Sequence, residues 1–424
     1  MKRLAECALS IALLGVLITG CAERGANGTE LRFWLMGHEA EVIAQLLPEF
    51  EQRNPGVRVI VQQLPWTAAH EKLLTAFAGD ALPDLCQLGN TWVPEFAALG
   101  ALEPLDARVA ASSIVKQEDY FAGIWDTNRV DATLRGVPWY VDTRLLFYRR
   151  DLLAQAGFDH PPRSWEEWGR MMAAVKKRGG PERYAVLLPL NEFEPLLALS
   201  LQARPLLADG GRRGDFRGEG FRHALDFYVE AFRNDWAPSM SDTQISNVWT
   251  EFGRGLFAFY VSGPWNIAEF KKRLPPERQR DWMTAPLPGP NGPGASIAGG
   301  SSLVIVRTSR HKDAAWRLIE YLSEPGVQQR FHALTGNLPP RRATWADARL
   351  ASDPYARAFR DQLERVRPAP AVPEWERIVN EMQVVAEQVV RGRLSIEQAP
   401  RELDQRVDAM LEKRRWLLDR RRPQ

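Results

Sequence analysis

Only three cysteines occur in 424 residues, and two of them, Cys7 and Cys21, fall at the very start. Cys86 is left alone in the remaining chain, where a single thiol cannot close an internal disulfide, so the fold must rest on burial rather than cross-links. Histidine is also scarce, and the six present are scattered with no cluster that would hold a metal. Neither sign of charge dominates: 55 basic residues stand against 53 acidic ones. That balance excludes the broad basic footprint of a nucleic-acid binder. Past the N-terminus, no apolar run reaches the length of a membrane span. Zinc, phosphate-loop and nucleophile-elbow signatures are missing, and no motif pairs two carboxylates for glycoside hydrolysis. We therefore expect no cofactor, no metal and no enzyme.

What is present is a 45% apolar composition with 15 tryptophans. That length and content can bury more than one substantial core, which suggests two domains. The first residues read as an address: Lys2 and Arg3, an apolar run from Ala8 to Ile18, then the small-residue ending Ile18-Thr19-Gly20-Cys21. That ending resembles the bacterial lipobox, which makes Cys21 the expected lipidated N-terminus of an exported protein held to a membrane by lipid. The alternative is an ordinary secretory signal, and Glu6 departs mildly from the lipoprotein pattern. We read residues 1–20 as the signal peptide and 21–29 as anchor and tether.

From Leu31 the chain has the grammar of an α/β fold. Leu31 to Met36 reads as a buried strand, and Glu39 to Arg53 as a helix kinked by Pro48 and stopped by Asn54-Pro55-Gly56. The valines at 57, 59 and 61 alternate as a strand, a helix spans Trp66 to Ala78, and another strand spans Asp84 to Leu88. This order implies a mostly parallel sheet with right-handed crossovers. Later come helices over 165–177 and 221–233, strands over 256–261 and 302–306, and an almost wholly helical end from Pro354. The stretch PLPGPNGPG at 286–294 reads as a connection between lobes, or as a surface loop inside one lobe.

Several segments together resemble the extracellular solute-binding proteins of sugar ABC importers, the group of maltose- and trehalose-binding proteins. They are LLPEFEQRNPGVRV at 46–59, ALPDLCQLGNTWVPEFAALGALEPLD at 81–106, GVPWYVDTRLLFYRRDLL at 136–153, FAFYVSGPWNI at 257–267, AGGSSLVI at 298–305, GNLPPRR at 336–342 and PEWERIV at 373–379. The resemblance implies a two-lobed periplasmic-binding-protein fold with a hinge, in which residues 30–140 plus 293–337 form one lobe and 141–292 plus 338–424 the other. It further implies a small carbohydrate ligand, permease subunits as partners, and action as a monomer. An alternative ligand for the same fold is a polyamine or a peptide.

A sugar presents hydroxyls around its rim and C–H groups on its faces, so its site needs planar hydrogen-bonding groups and aromatic rings. Glu39, after the first strand, either accepts sugar hydroxyls or merely offsets a helix N-terminus; the adjacent His38 is weaker. Trp66 either lines the cleft or packs inside. Asn90 and Trp92 follow the third strand, with Thr91 between them as a possible helix cap. The resemblance places Tyr140 and Asp142 at the first crossing between lobes, Trp265 as a stacking ring, and Arg341 and Trp375 as late contacts. Gly299 and Gly300 would allow close approach of ligand to backbone, or serve a tight turn. The loop Asn191-Glu192-Phe193 is a further, looser candidate, as is Arg342.

Overall fold

Leu31, Phe33 and Leu35 alternate with Trp34 and Met36 along the first strand, and the two sets sink into different apolar clusters. A strand whose side chains alternate between faces, both apolar, has to lie inside a sheet covered on both sides. The computed structural model describes residues 28–203, 205–245 and 247–420 and shows this arrangement twice. Cys21 and the expected signal peptide lie outside the described residues.

The main strands are, in chain order, β1 (Thr29–Met36), β2 (Val57–Leu64), β3 (Leu85–Gly89), β4 (Val137–Val141), β5 (Leu145–Arg149), β6 (Tyr184–Leu187), β7 (Phe257–Ser262), β8 (Trp282–Ala285), β9 (Ser296–Ile297), β10 (Gly300–Ile305) and β11 (Val366–Arg367). One lobe carries a five-stranded sheet in the order β2-β1-β3-β10-β4, the other a four-stranded sheet in the order β8-β5-β7-β6. The two-lobed α/β expectation therefore holds, but the sheets are mixed rather than mostly parallel. β10 runs antiparallel to both β3 and β4, and β5 antiparallel to β7 and β8. The reason is topological: β10 enters the first sheet from the other lobe and not through a helical crossover of its own.

Local breaks follow the residues. The helix expected over Glu39 to Arg53 is two helices, Glu39–Ile43 and Leu47–Arg53, because Pro48 is tolerated in a first turn but not in a helix interior. PLPGPNGPG does not join the lobes. It is a hairpin, Pro288–Gly289 against Gly292–Pro293, pinned to the second lobe by the Trp165 indole, which donates to the Pro288 carbonyl at 3.0 Å. The chain instead crosses later, between β9, which pairs with β11, and Gly300 in the first sheet. The three crossings lie side by side: Val141 N–H donates to the Leu338 carbonyl at 2.9 Å and Asp142 N–H to the Gly299 carbonyl at 3.0 Å.

Candidate ligand-binding site

In an open α/β sheet, the loops after the carboxyl ends of parallel strands face the ligand. Here β1 is followed by Glu39, β2 by Trp66, and β3 by Asn90 and Trp92, all at the start of helical turns. These four face a cavity of about 510 Å³ between the lobes. Tyr140, Asp142, Gly299 and Gly300 line it at the crossings, and Arg144, Glu194, Trp265 and Glu376 line it from the second lobe.

The aromatic surface comes in two parts. Trp66 and Trp92 meet edge to face with ring centroids 5.7 Å apart, and Trp66 remains 38% exposed. A side chain at Gly37 would collide with the Trp66 indole, so that glycine, at φ +56, is what lets the ring lie over the first loop. Opposite them, Trp265 opens the helix Trp265–Arg273 directly after β7. The Arg144 guanidinium sits 4.8 Å from the centre of its ring. That cation covers one part of the π-system and fixes the indole.

Arg144 is also the charge centre of the site. It is buried, pairs with Asp142, and donates to Glu194 Oε1 at 2.8 Å. Burial raises the Asp142 carboxyl above its ordinary value; Arg144 opposes the shift, and the neighbouring Glu194 and Glu39 reinforce it. For Arg144 itself burial works against the charged form, but the two carboxylates overcome it and the group is held cationic. Glu39 accepts from Asn337 Nδ2 at 2.8 Å, and Asn90 Nδ2 donates to the Ala298 carbonyl at 2.6 Å. Gln87 donates to both the Tyr140 hydroxyl, at 3.1 Å, and Ser301, at 3.0 Å. Burial, with Glu39 adding to it, keeps the Tyr140 phenol far above its usual range and neutral. Glu376 faces the cavity with its Oε1 buried and without a hydrogen-bond partner. Its carboxyl is raised by burial, partly offset by a Thr91 hydrogen bond and the His70 charge.

This is a cleft of fixed rings and hydrogen-bonding groups between two hinged α/β lobes. Residues 37–329 match the bacterial extracellular solute-binding proteins. The chain belongs to that family. The sugar-binding protein MalE from the phytopathogen Xanthomonas citri is similar to it at 61% identity, across 92% of this chain and 99% of that one, with a TM-score of 0.89. A solute-binding protein from Thermotoga lettingae, bound with alpha-D-tagatose, is 25% identical across 91% and 100% of the two chains, with a TM-score of 0.78. The mannitol-binding protein of Pseudomonas aeruginosa is 25% identical over 377 residues, 82% of this chain and 85% of its own.

In this solute-binding protein, two of the residues expected in the site are elsewhere. Arg341 is buried on the far side of the hinge, where it pairs with Asp119, donates to the Ser323 carbonyl and lies over the Tyr120 ring. It ties the post-hinge segment to the first lobe. Trp375 is 1% exposed within the second lobe's core, and its neighbour Glu376 takes the cavity position. Consecutive helical residues point about 100° apart, so a one-residue error in reading the motif exchanges core for cleft. Gly299 and Gly300 do line the cavity, but a Cβ at either would strike the backbone of Asp142 or Tyr140. The tight β4–β10 approach already requires them to be glycine. Reading the sequence also missed Arg144, Glu194, Asn337 and Glu376. Glu194 has a local signal, since it begins a helix directly after the loop Asn191-Glu192-Phe193; Arg144 looks like any charged residue before a strand.

Proposed function

We propose that this solute-binding protein captures a sugar, a disaccharide or short oligosaccharide of the maltose or trehalose type, in the interlobe cleft and presents it to the permease of an ABC importer. Glu39, Trp66, Asn90, Trp92, Tyr140, Asp142 and Trp265 are the proposed contacts among those expected from sequence, joined by Arg144, Glu194 and Glu376. The observation that carries the reading is the meeting of three half-exposed indoles with buried oxygen acceptors, one of them, on Glu376, unbonded. Rings match sugar C–H faces, and the acceptors match hydroxyls. The sugar named for the 61%-identical relative, and the polyol named for another, support the same ligand class.

Four carboxylates line the cavity against one arginine, which would suit a polyamine. Arg144, however, already binds two of them and Asn337 a third, so a cation would have to displace these partners. The lipid anchor at Cys21, the monomeric state, and a hinge through residues 140–142, 297–300 and 337–338 belong to the same proposal. Thermal melting of the protein in detergent, with mono- and disaccharides and with spermidine, tests it. A sugar at about 100 times its dissociation constant should stabilise the fold by about 2.7 kcal/mol. A shift with spermidine and none with any sugar would reverse the assignment.

A further inference from the structure

Trp92 is carried by a short element, the 3-10 turn Asn90–Trp92 after β3, and so brief a turn makes too few bonds of its own to hold a large ring in one place. The neighbouring helix Trp66–Ala78 supplies the support. Trp66 and His70 are four residues apart on it and share one face. Both rest on Trp92, the Trp66 ring at 5.7 Å and the His70 imidazole at 5.1 Å between centroids. Glu95, three residues after Trp92 in the helix Val93–Ala98, brings its Oε2 to 2.7 Å from His70 Nε2. Phe96 meets the imidazole edge-on, with centroids 6.2 Å apart. Ring contact and ion pair are thus adjacent rungs between the segments that follow β2 and β3.

Among the described residues, the charged groups that bear on His70 are three carboxylates. Glu95 pairs with it, Glu71 of its own helix lies 3.8 Å from Nδ1, and Glu376 acts from the helix Trp375–Val390 of the other lobe. The Glu95 hydrogen bond raises the imidazole above its ordinary value of 6.5; burial opposes this, and the three negative charges add to it. Protonated, the ring makes a charge-assisted bond to Glu95 and presents a cation to the indole. Neutral, it keeps at most a weaker bond and loses the charge.

We propose that His70 is a positioning residue of the ligand site, which clamps Trp92 through Glu95 and by its own protonation makes sugar affinity fall as pH rises. The proposal rests on the sugar reading for its ligand. By linkage, a sugar that needs the clamped indole should bind the protonated form more tightly and take up protons on binding. The raised carboxyls of Asp142 and Glu376 give the opposite sign, since their ionisation supplies acceptors for hydroxyls as pH rises.

Calorimetry of the full protein in detergent with maltose and with trehalose, between about pH 6 and pH 9, tests this. Affinity should fall about 5-fold across that range, the scale of one cation–ring contact. His70→Gln, which cannot titrate, should flatten the profile, and Glu95→Gln should move its midpoint down towards 6.5. A histidine that served the fold alone would lower the melting temperature in His70→Gln and leave the shape of the affinity profile unchanged. That result, or a flat wild-type profile, would overturn the proposal. Tryptophan fluorescence of the unliganded protein gives a readout that needs no ligand: its pH titration should contain a step that is lost in both His70→Gln and Trp92→Phe. If neither sugar binds, the reading of a maltose- or trehalose-type ligand fails and the fluorescence decides alone. A step lost in both variants would then sustain the clamp, and a step untouched by either would overturn it.

Discussion

At Trp265 one region of the indole rests on the Arg144 guanidinium and the rest faces the cavity. Replacing Trp265 with alanine should cost the bound sugar a stacking surface, weakening binding at least 10-fold by calorimetry. The melting temperature of the free protein should change little, because the ring is not part of a closed core. Glu376 offers the opposite trade. Its raised carboxyl means that the unfolded chain loses this proton first: between the ordinary value of 4.5 and the raised folded value, unfolding releases a proton, so stability falls as pH increases. Glu376→Gln should therefore raise the melting temperature of the unliganded protein at neutral pH, by the equivalent of about 1 kcal/mol, while weakening sugar binding about 10- to 100-fold. A variant that loses stability and keeps its affinity would show that Glu376 serves the fold. Asp142 follows the same sign, with Arg144 restraining the shift. In Arg144→Met that restraint is gone, and the variant should lose about 3–5 kcal/mol at neutral pH. It should recover part of the loss when melted at a more acidic pH, where the raised Asp142 carboxyl takes up a proton.

Short connecting elements carry the site, and two of them decide where the expected residues went. The segment after Leu338 returns to the first lobe because Arg341 reaches Asp119 and the Ser323 carbonyl across more than 200 residues of chain for the former. Arg341→Ala should thus destabilise the protein by about 3–5 kcal/mol in urea unfolding, with sugar affinity unchanged in whatever fraction stays folded. The helix Trp375–Val390 does both jobs at once: Trp375, Ile378, Val379 and Met382 face the core while Glu376 faces the cleft. Trp375→Ala should cost about 3–5 kcal/mol by leaving a cavity, and its effect should appear in unfolding before it appears in binding. Helix positions such as Trp66–Ala78 were legible from periodicity and match the structure residue for residue. The split at Ala44 to Leu46 was visible only as a proline, which a sequence reads equally well as a kink or a start.

Over the whole molecule, the two lobes are joined by three adjacent crossings, by the packing of Gly123 against Val366 beside them and by the residues that line the cleft, the arrangement in which a ligand touching both lobes favours the closed form. Small-angle scattering should show the protein contract on adding the sugar that shifts its melting temperature, and an unchanged profile would count against hinge closure. Much of this was written in the chain itself: alternating apolar strands, proline and glycine stops, and ordered motifs determined two α/β lobes, and Glu39, Asn90, Trp92, Asp142 and Trp265 stood where strands end. The sequence could not determine partners that come from separate parts of the chain. Arg144 with Glu194, Asn337 with Glu39 and Glu376 with Thr91 are brought together only by the folding of each lobe or, for the last pair, by the approach of the two lobes. Arg341 and Trp375 show the converse. A charge or a ring in the expected motif became a strut or a core residue because burial depends on what the rest of the chain places beside it, and no local pattern carries that information.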